Sequence, residues 1–520
     1  MKERLLILAL ILPALLTVPA GFAAAQSFYD TEEEGIRNEA ANIRFDSGSP
    51  VSLSDNILKD FGIGSLVYES AKGSFHSISQ PDSRRGLKVN MGGSKSIGTV
   101  DMQGYLHYNN LTENGRNWNS SLGLDDANPF FIADSIAGRS ATESFKMIAS
   151  VAWRPVSGWI FGASIGLATS QLSDNTDPRP KTDMSAIPVT IGVDKAFSEI
   201  VRAGFYAGAE IKNESMTYTV VSPGINHQFF VMKGLGDYYR TSSLSESGYN
   251  RESKGNSFFC GANLSESLGK YDNFTEVTFR YNSEIVKSEQ AKFRAGDFSA
   301  VVLGVYDRFR IKTSSASHNL ILDASYKAGS GWWYEQKKLT DLEHGSTTYY
   351  EVLSKDKIHQ SATLHAEFAY RLDKTNSGMV LSAAYDSDDI LHYNDSGEHT
   401  QLCNSASFHV EGMYGGVSLW KATMRGVAFF SGYLPLASSH FEGACNYTGV
   451  ANINSVYAEP LYNFRNTSYY GIGGRVDATL PVQMKQTETR LGLFLSFAVD
   501  SAFSSGLSYR KASSGFYLIF

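Results

Sequence analysis

The feature that most narrows what this chain can become is a period-two alternation of side-chain character that recurs along most of its length. In Thr363–Leu372, Leu364, Ala366, Phe368, Tyr370 and Leu372 take one side of an extended chain, and His365, Glu367, Ala369 and Arg371 take the other. Val201–Lys212 sets Val201, Ala203, Phe205, Ala207, Ala209 and Ile211 against Arg202, Gly204, Tyr206, Gly208, Glu210 and Lys212. Asn319–Lys327 and Arg490–Asp500 repeat the pattern. Successive side chains of a strand point to opposite faces, so each segment asks for two surroundings, one apolar and one tolerant of charge. A strand of about ten residues in a transmembrane β-barrel has both, with lipid outside and a polar lumen inside. A soluble β-solenoid would alternate at a fixed repeat period, and none is present. A soluble sandwich would need polar outer faces.

Composition closes the other classes. Aromatic residues make up 12% of the chain, too many for disorder. After the N-terminal leader no apolar run approaches the roughly 18 residues of a transmembrane helix. A formal net charge of -7 argues against nucleic acid as a partner. Three cysteines cannot build a disulfide scaffold.

The two ends read as addresses. Lys2 and Arg4, the apolar run Leu5–Val18 and the small residues Ala23-Ala24-Ala25 make residues 1–25 a signal peptide, with the mature chain starting at Gln26. The last residues place Phe516, Leu518 and Phe520 on one face of an extended segment. This ending resembles the assembly signal of Gram-negative outer-membrane β-barrels, which implies the barrel-assembly machinery as a partner and the cell outer membrane, with its lipid, as the location.

The expected fold is all-β: a transmembrane antiparallel barrel over residues 61–520, of about 18 strands within a range of about 16–20. Turns at Pro155–Ser157, Phe197–Ile200, Leu268–Asp272, Lys312–Ser315, Asp373–Ser377, Tyr414–Gly416 and Val482–Gln486 are short and periplasmic. Asn110–Thr142, Ser170–Asp183, Val221–Asn256, Lys287–Asp297, Gly329–Gln360, Leu391–Gln401 and Gly432–Thr467 read as extracellular loops, with His227–Tyr239 as an alternative membrane strand. Residues 26–60 do not alternate. Thr31-x-x-Glu34 is a capping-box pattern that opens a helix to about Arg44, and Asp30, Glu32, Glu33 and Glu34 make its start acidic. This segment is either a loose periplasmic tail or a plug inserted in the lumen.

After the third strand come Asn117-Trp118-Asn119 and Asp125-Asp126-Ala127-Asn128-Pro129-Phe130-Phe131-Ile132-Ala133-Asp134-Ser135-Ile136. With the leader, the alternation and the terminal Phe, this resembles a family of functionally uncharacterised outer-membrane β-barrel proteins of Bacteroidota. The resemblance implies the fold and location over nearly all of the mature chain and brings no catalytic residues. The Asp-flanked Asn128-Pro129 starts a turn, and the apolar run after it either folds into the barrel mouth or packs as a surface loop.

Chemistry is sparse. No phosphate loop, Gly-x-Ser-x-Gly elbow or His-Glu-x-x-His occurs, so no cofactor, metal or catalytic residue is assigned. His392 and His399 flank an acidic stretch with Asp386, Asp388, Asp389 and Asp395 whose spacing fits a solvated loop better than a metal site. Cys403 and Cys445 either pair or stay free, and Cys260, at period two with Phe258, Ala262 and Leu264, reads as a small lipid-facing residue. The inward face carries the strongest functional signal. Arg202, Arg280, Arg371, Lys421, Arg425 and Arg475 line it with Glu210, Glu276, Asp323, His365, Glu367 and Asp477. Lys146, Lys212, Arg308, Arg310, Lys312, Lys327 and Arg490 add further cations to this face. Asp101, Glu411 and Asp500 add acids, and Asp307 falls on the lipid side. An acidic protein with a basic lumen reads as a porin-like channel or transporter for a small solute, an anionic one if the wall selects. The alternative is a non-transport structural or docking barrel for secreted or surface partners. A third reading makes His365, a carboxylate and Ser325 or Ser361 an outer-membrane hydrolase. Solute and oligomeric state are not legible.

Overall fold

A computed structural model describes residues 42–56, 59–221, 229–241, 249–288, 292–341, 347–394, 397–441, 453–484 and 487–520. The leader (residues 1–25), the acids Asp30, Glu32, Glu33 and Glu34 and Cys445 lie outside the described residues.

The strands are β1 (Phe61–Gly73), β2 (Ser83–Ile97), β3 (Val100–Arg116), β4 (Ile132–Asp134), β5 (Gly138–Val156), β6 (Trp159–Asp174), β7 (Arg179–Ala196) and β8 (Val201–Thr219). They continue with β9 (Phe229–Gly234), β10 (Asp237–Thr241), β11 (Tyr249–Leu268), β12 (Tyr271–Ser288), β13 (Phe293–Lys312), β14 (Ala316–Asp341) and β15 (Thr347–Lys374). The rest are β16 (Ser377–Asn394), β17 (Gly397–Leu419), β18 (Ala422–Pro435), β19 (Ser439–Phe441), β20 (Tyr469–Met484), β21 (Thr487–Ala502) and β22 (Ser508–Ile519). One short helix, α1 (Glu459–Arg465), sits in the connection before β20. Eighteen of the strands form one closed antiparallel barrel, each paired to its chain neighbour and β1 paired back to β22. Closure leaves no unpaired edge, the only form in which a sheet can stand in hydrocarbon.

The outer wall is apolar where the alternation demands it. Leu495, Ile191, Phe205 and Val277 project outward and are exposed, as lipid-facing side chains must be. Among the described residues no helix is long and apolar enough to cross a membrane; the crossing is made by strands. The protein is an integral β-barrel of the Gram-negative outer membrane. Pro188 interrupts the ladder locally: β6 and β7 lose their pairing between Val189 and Ala186, where the missing N–H cannot donate, and resume in the same register.

Several expectations about elements need correction, among them Leu391–Gln401, where β16 and β17 stay paired as far as Asn394 and Gly397. The chain does not turn at Tyr414–Gly416. Gly416, with φ +79°, makes a bulge between Gly415 and Val417, and the turn falls at Trp420-Lys421. Gly329–Gln360 is not a loop but the upper part of β14 and β15, which stay paired as a projecting hairpin. Most of the described part of His227–Tyr239 forms β9 and the start of β10, which join β4 in a separate three-stranded sheet rather than crossing the membrane.

That small sheet caps the barrel from the extracellular side. Phe130 is fully buried against Gly296, where a Cβ would come within 2.5 Å of its ring. Val286, Phe293 and Trp333 complete its apolar setting. The backbone N–H groups of Leu122 and Gly123 donate to Glu214 Oε2, at 2.7 and 2.5 Å, and the Asn128 amide donates to Glu284 at 2.7 Å. Of the two readings of this loop, the structure takes the one in which it folds into the mouth. Trp118 and Phe131 meet Tyr457 just before α1, and Phe464 on α1 meets Phe75 beyond β1.

Candidate functional site: an inclined cavity in the lumen

The lumen is filled unevenly. Residues 42–56 lie against the inner wall near β3, β5, β6 and β7. Arg44 makes an ion pair with Asp194 and lies 3.3 Å from Asp55. Ser47 and the Gly48 N–H both donate to Glu276, the latter at 3.1 Å, and Tyr206 Oη donates to the same carboxylate at 3.1 Å. Arg202 Nη1 reaches Asp55 at 2.8 and 2.9 Å. Tyr306 Oη donates to Asp46 at 2.7 Å, and Arg308 to the Asn42 carbonyl at 3.4 Å. In this segment Asp55 meets the wall cation Arg202, and Arg44 meets the wall acid Asp194.

The opposite half of the wall leaves space, a cavity of about 590 Å³. The register explains its course. Reading across the hydrogen-bonded strands, Arg371 faces Val380, then Glu411, Phe429, Gly473, Ala498, Lys511, Ala71 and Arg84 in turn. The next row on the same face runs Gly378, Met413, Val427, Arg475, Ser496, Ser513 and Glu69. Gly473, Ala498, Ala71, Ser496 and Ser513 are small, and their succession hollows the wall. Barrel strands tilt, so a row perpendicular to them climbs as it goes round. Arg371 stands near the periplasmic end of β15, and Arg84 stands beside the extracellular start of β2. The cavity thus rises across the barrel from one rim towards the other.

Its charge is weighted to the positive. Arg84, Arg371, Arg425, Arg475 and Lys511 line it, against Glu69, Asp373 and Glu411. Several of these cations have a carboxylate at hand. Arg371 Nε donates to Asp373 at 2.9 Å, Arg475 is bidentate on Asp477, and Lys511 Nζ lies 2.7 Å from Asp500. Arg475 also lies over the Phe494 ring at 3.9 Å. These contacts hold extended side chains in place along a wet wall, which is how a lumen keeps a fixed field without collapsing on itself.

A family model described as a family of unknown function matches residues 50–518. The chain belongs to that family, DUF6850. No curated protein matches the sequence. Among solved structures it is similar to the ferric preacinetobactin receptor BauA of Acinetobacter baumannii, at 10% identity and TM-score 0.41, covering 89% of this chain and 80% of that one. It is similar to the outer membrane transporter YddB of Escherichia coli at 7% identity and TM-score 0.39, covering 88% and 80%. The ferric enterobactin receptor PfeA of Pseudomonas aeruginosa gives 10% identity and TM-score 0.38, covering 88% and 80%.

In this DUF6850 chain the remaining inward residues fall into separate groups. Glu210 and Arg280 border a second cavity of about 530 Å³, with Lys146 and Tyr105, on the side filled by residues 42–56. Arg280 lies over Phe259 at 4.9 Å. Asp323 faces Glu367 across β14 and β15, and the next row brings Ser325, His365 and Asp386 side by side. His365 Nδ1 is 2.7 Å from Asp386, while among the described residues no hydrogen bond joins His365 to Ser325 or Ser361. The row is an ion-pair row without an engaged nucleophile. Lys421 is not in the lumen: the bulge at Gly416 moves the turn onto it, and it is exposed there. Asp307 does face outward, accepting from Thr275 Oγ1 at 2.6 Å close to the short-turn rim.

His392 and His399 are not in a solvated loop. Both are buried on the inner wall of the mouth beside His359, with neighbouring ring centroids 6.1 and 6.2 Å apart. His392 Nε2 is 3.0 Å from Asp237 Oδ2, and Lys233 Nζ is 3.2 Å from the same oxygen. No set of three or more His, Cys, Asp and Glu side chains among the described residues is arranged to hold a metal ion. Asp194 and Arg44 form a buried lumen ion pair that is not among the inward residues expected from the sequence. Asp194 had a signal, alternating with Gly192 and Thr190 on the inward face of β7.

Proposed function

We propose that the chain is a channel for a small anionic solute, which crosses the outer membrane along the inclined cavity. The observation that carries this reading is the course of the cavity, from beside Arg371 near the periplasmic rim to Arg84 at the extracellular one, with arginine and lysine in excess along it. An excess of one charge sign among the lining side chains raises the local concentration of the opposite ion and biases the selectivity of a wet pore. In this reading residues 42–56, the described part of the N-terminal segment 26–60, act as a partial plug that fills part of the other half of the lumen, and the protein is not an enzyme.

The test is the reversal potential of the purified chain in planar bilayers under a KCl gradient. Preference for chloride is expected, and the Arg371→Gln/Arg475→Gln variant should shift the reversal potential towards zero. A cation-selective or non-conducting protein would overturn the channel. The docking reading has one observation in its favour, the projecting β14–β15 hairpin with Tyr349, Val352 and Leu353 about half exposed. A folded barrel without conductance would turn the argument to that hairpin.

A further inference from the structure

We infer that the preferred solute is an organic anion with an apolar body rather than an inorganic ion; this rests on the channel reading above. A charged wall alone would serve chloride as well as a carboxylate. The same wall, however, carries an apolar patch around Glu411 where lipid does not reach. Val380 on β16, Met413 on β17, and Val427 and Phe429 on β18 all line the cavity. They are neighbours through the register: Met413 faces Val427, and Glu411 stands between Val380 and Phe429 in the row above. Phe429 lies over Gly473, where a Cβ would sit 2.5 Å from the ring, so the position opposite has room for the ring only because no side chain is there.

The patch is flanked by cations on both sides. Val380 faces Arg371 on β15, and Val427 faces Arg475 on β20. Water against Val380, Met413 and Val427 finds no hydrogen-bond partner in those side chains. A hydrocarbon group placed there removes apolar surface of both partners from water, while a carboxylate on the same molecule meets the field of Arg371 and Arg475, whose guanidiniums it shares with Asp373 and Asp477. An inorganic ion gains only the second of these.

The experiment measures block of chloride current by the sodium salts of acetate, butyrate and hexanoate, using the full chain in planar bilayers. Complete burial of a methylene strengthens binding about fourfold, and a one-sided patch in a wet cavity should give roughly half that free energy, about twofold per methylene. From acetate to hexanoate the half-blocking concentration should therefore fall about 16-fold. In a Met413→Gln/Val427→Thr variant, shown to be folded by heat-modifiable gel mobility, the dependence on chain length should flatten. The series on the unaltered protein stands whether or not that variant folds. Chloride selectivity with equal block by all three carboxylates overturns this inference and leaves the channel reading in place. Loss of any preference for chloride overturns both.

Discussion

Leu495 and Ser496 are adjacent in β21 and stand in different solvents. Leu495 points outward and is 68% exposed, whereas Ser496 faces the cavity with its Oγ 2.7 Å from Ser513 Oγ. Leu495→Arg puts a charge into hydrocarbon and should cost roughly 2–4 kcal/mol near the midplane. Ser496→Arg should leave folding within about 1 kcal/mol of wild type and lower conductance, because the new side chain enters a space walled by small residues. A urea refolding titration in vesicles, read beside single-channel current, separates the two; equal destabilisation by both would mean that β21 has its faces reversed. Such pairs are legible in the sequence, because period two fixes the face of each residue once one is known. Pairings across the lumen are not. Arg44 and Asp194 are 150 positions apart, and nothing local to either names the other. Their burial makes the pair consequential, since a buried carboxylate that loses its cation costs about 3–5 kcal/mol.

At the scale of elements, the membrane strands were legible and the water-exposed ones were not. Inside the bilayer the outer face must be apolar, so alternation is enforced. Above it both faces of β14 and β15 meet water or cap, and the consecutive Trp332-Trp333-Tyr334 breaks the pattern although the ladder continues. Gly415-Gly416 signals a break in the strand, and its composition does not distinguish a bulge from a turn. The cap, built from β4, β9 and β10, was open to two readings because its partners come from distant loops. Its pH response follows from Asp134. Burial pushes this carboxyl up to about 7, with Asp174 adding to the rise and the Ile136 N–H opposing it. Between the ordinary carboxylate value and 7 the closed cap holds a proton that an opened cap releases, so closure gains from this group as pH falls through 7 and loses as pH rises. Asp237 works in the opposite sense. Burial raises its pKa, but the hydrogen bond from His392 and the charge of Lys233 outweigh this and hold it low, so its contribution is lost only below the ordinary carboxylate range. Burial also holds His359 and His399 low, so both take up protons when the cap opens, and the comparison must be with Asp134→Asn at each pH. That variant should protect the β9 amides more than wild type at pH 8, by a free energy on the order of a few kcal/mol, and not at pH 4. The Met232 N–H, bonded to the Phe131 carbonyl at 2.9 Å, is a direct reporter in hydrogen exchange. An excess that grows towards low pH would contradict the sign.

For the whole molecule, the evenness of the strand count and the meeting of the two ends follow from simple constraints: antiparallel pairing, both ends on the short-turn side, and no free edge in lipid. The course of the cavity is not legible in the same way, because it depends on the shear that aligns Arg371 with Arg84 across nine strands. The terminal residue joins closure to assembly. Ile63–Gly73 pairs residue for residue with Tyr509–Ile519, and Phe520 adds one more exchange, its N–H to the Gly62 carbonyl at 2.9 Å and its carbonyl from the Gly62 N–H at 2.7 Å. Its ring covers Gly62, where a Cβ would sit 2.3 Å away, and is 56% exposed on the lipid side with Phe516. Deleting Phe520 therefore removes two terminal hydrogen bonds and one interfacial ring while the rest of the seam is kept. For a barrel already closed along β1 and β22 the loss should be about 1–3 kcal/mol, mostly fraying at one rim. The effect in cells should be much larger if Phe516, Leu518 and Phe520 together form the outward face that the assembly machinery reads. The expected outcome is near-normal refolding of the truncated chain in detergent, with sharply reduced folded protein in the outer membrane. A matched loss in both settings would make Phe520 a structural clasp, and normal levels in both would remove the terminal address.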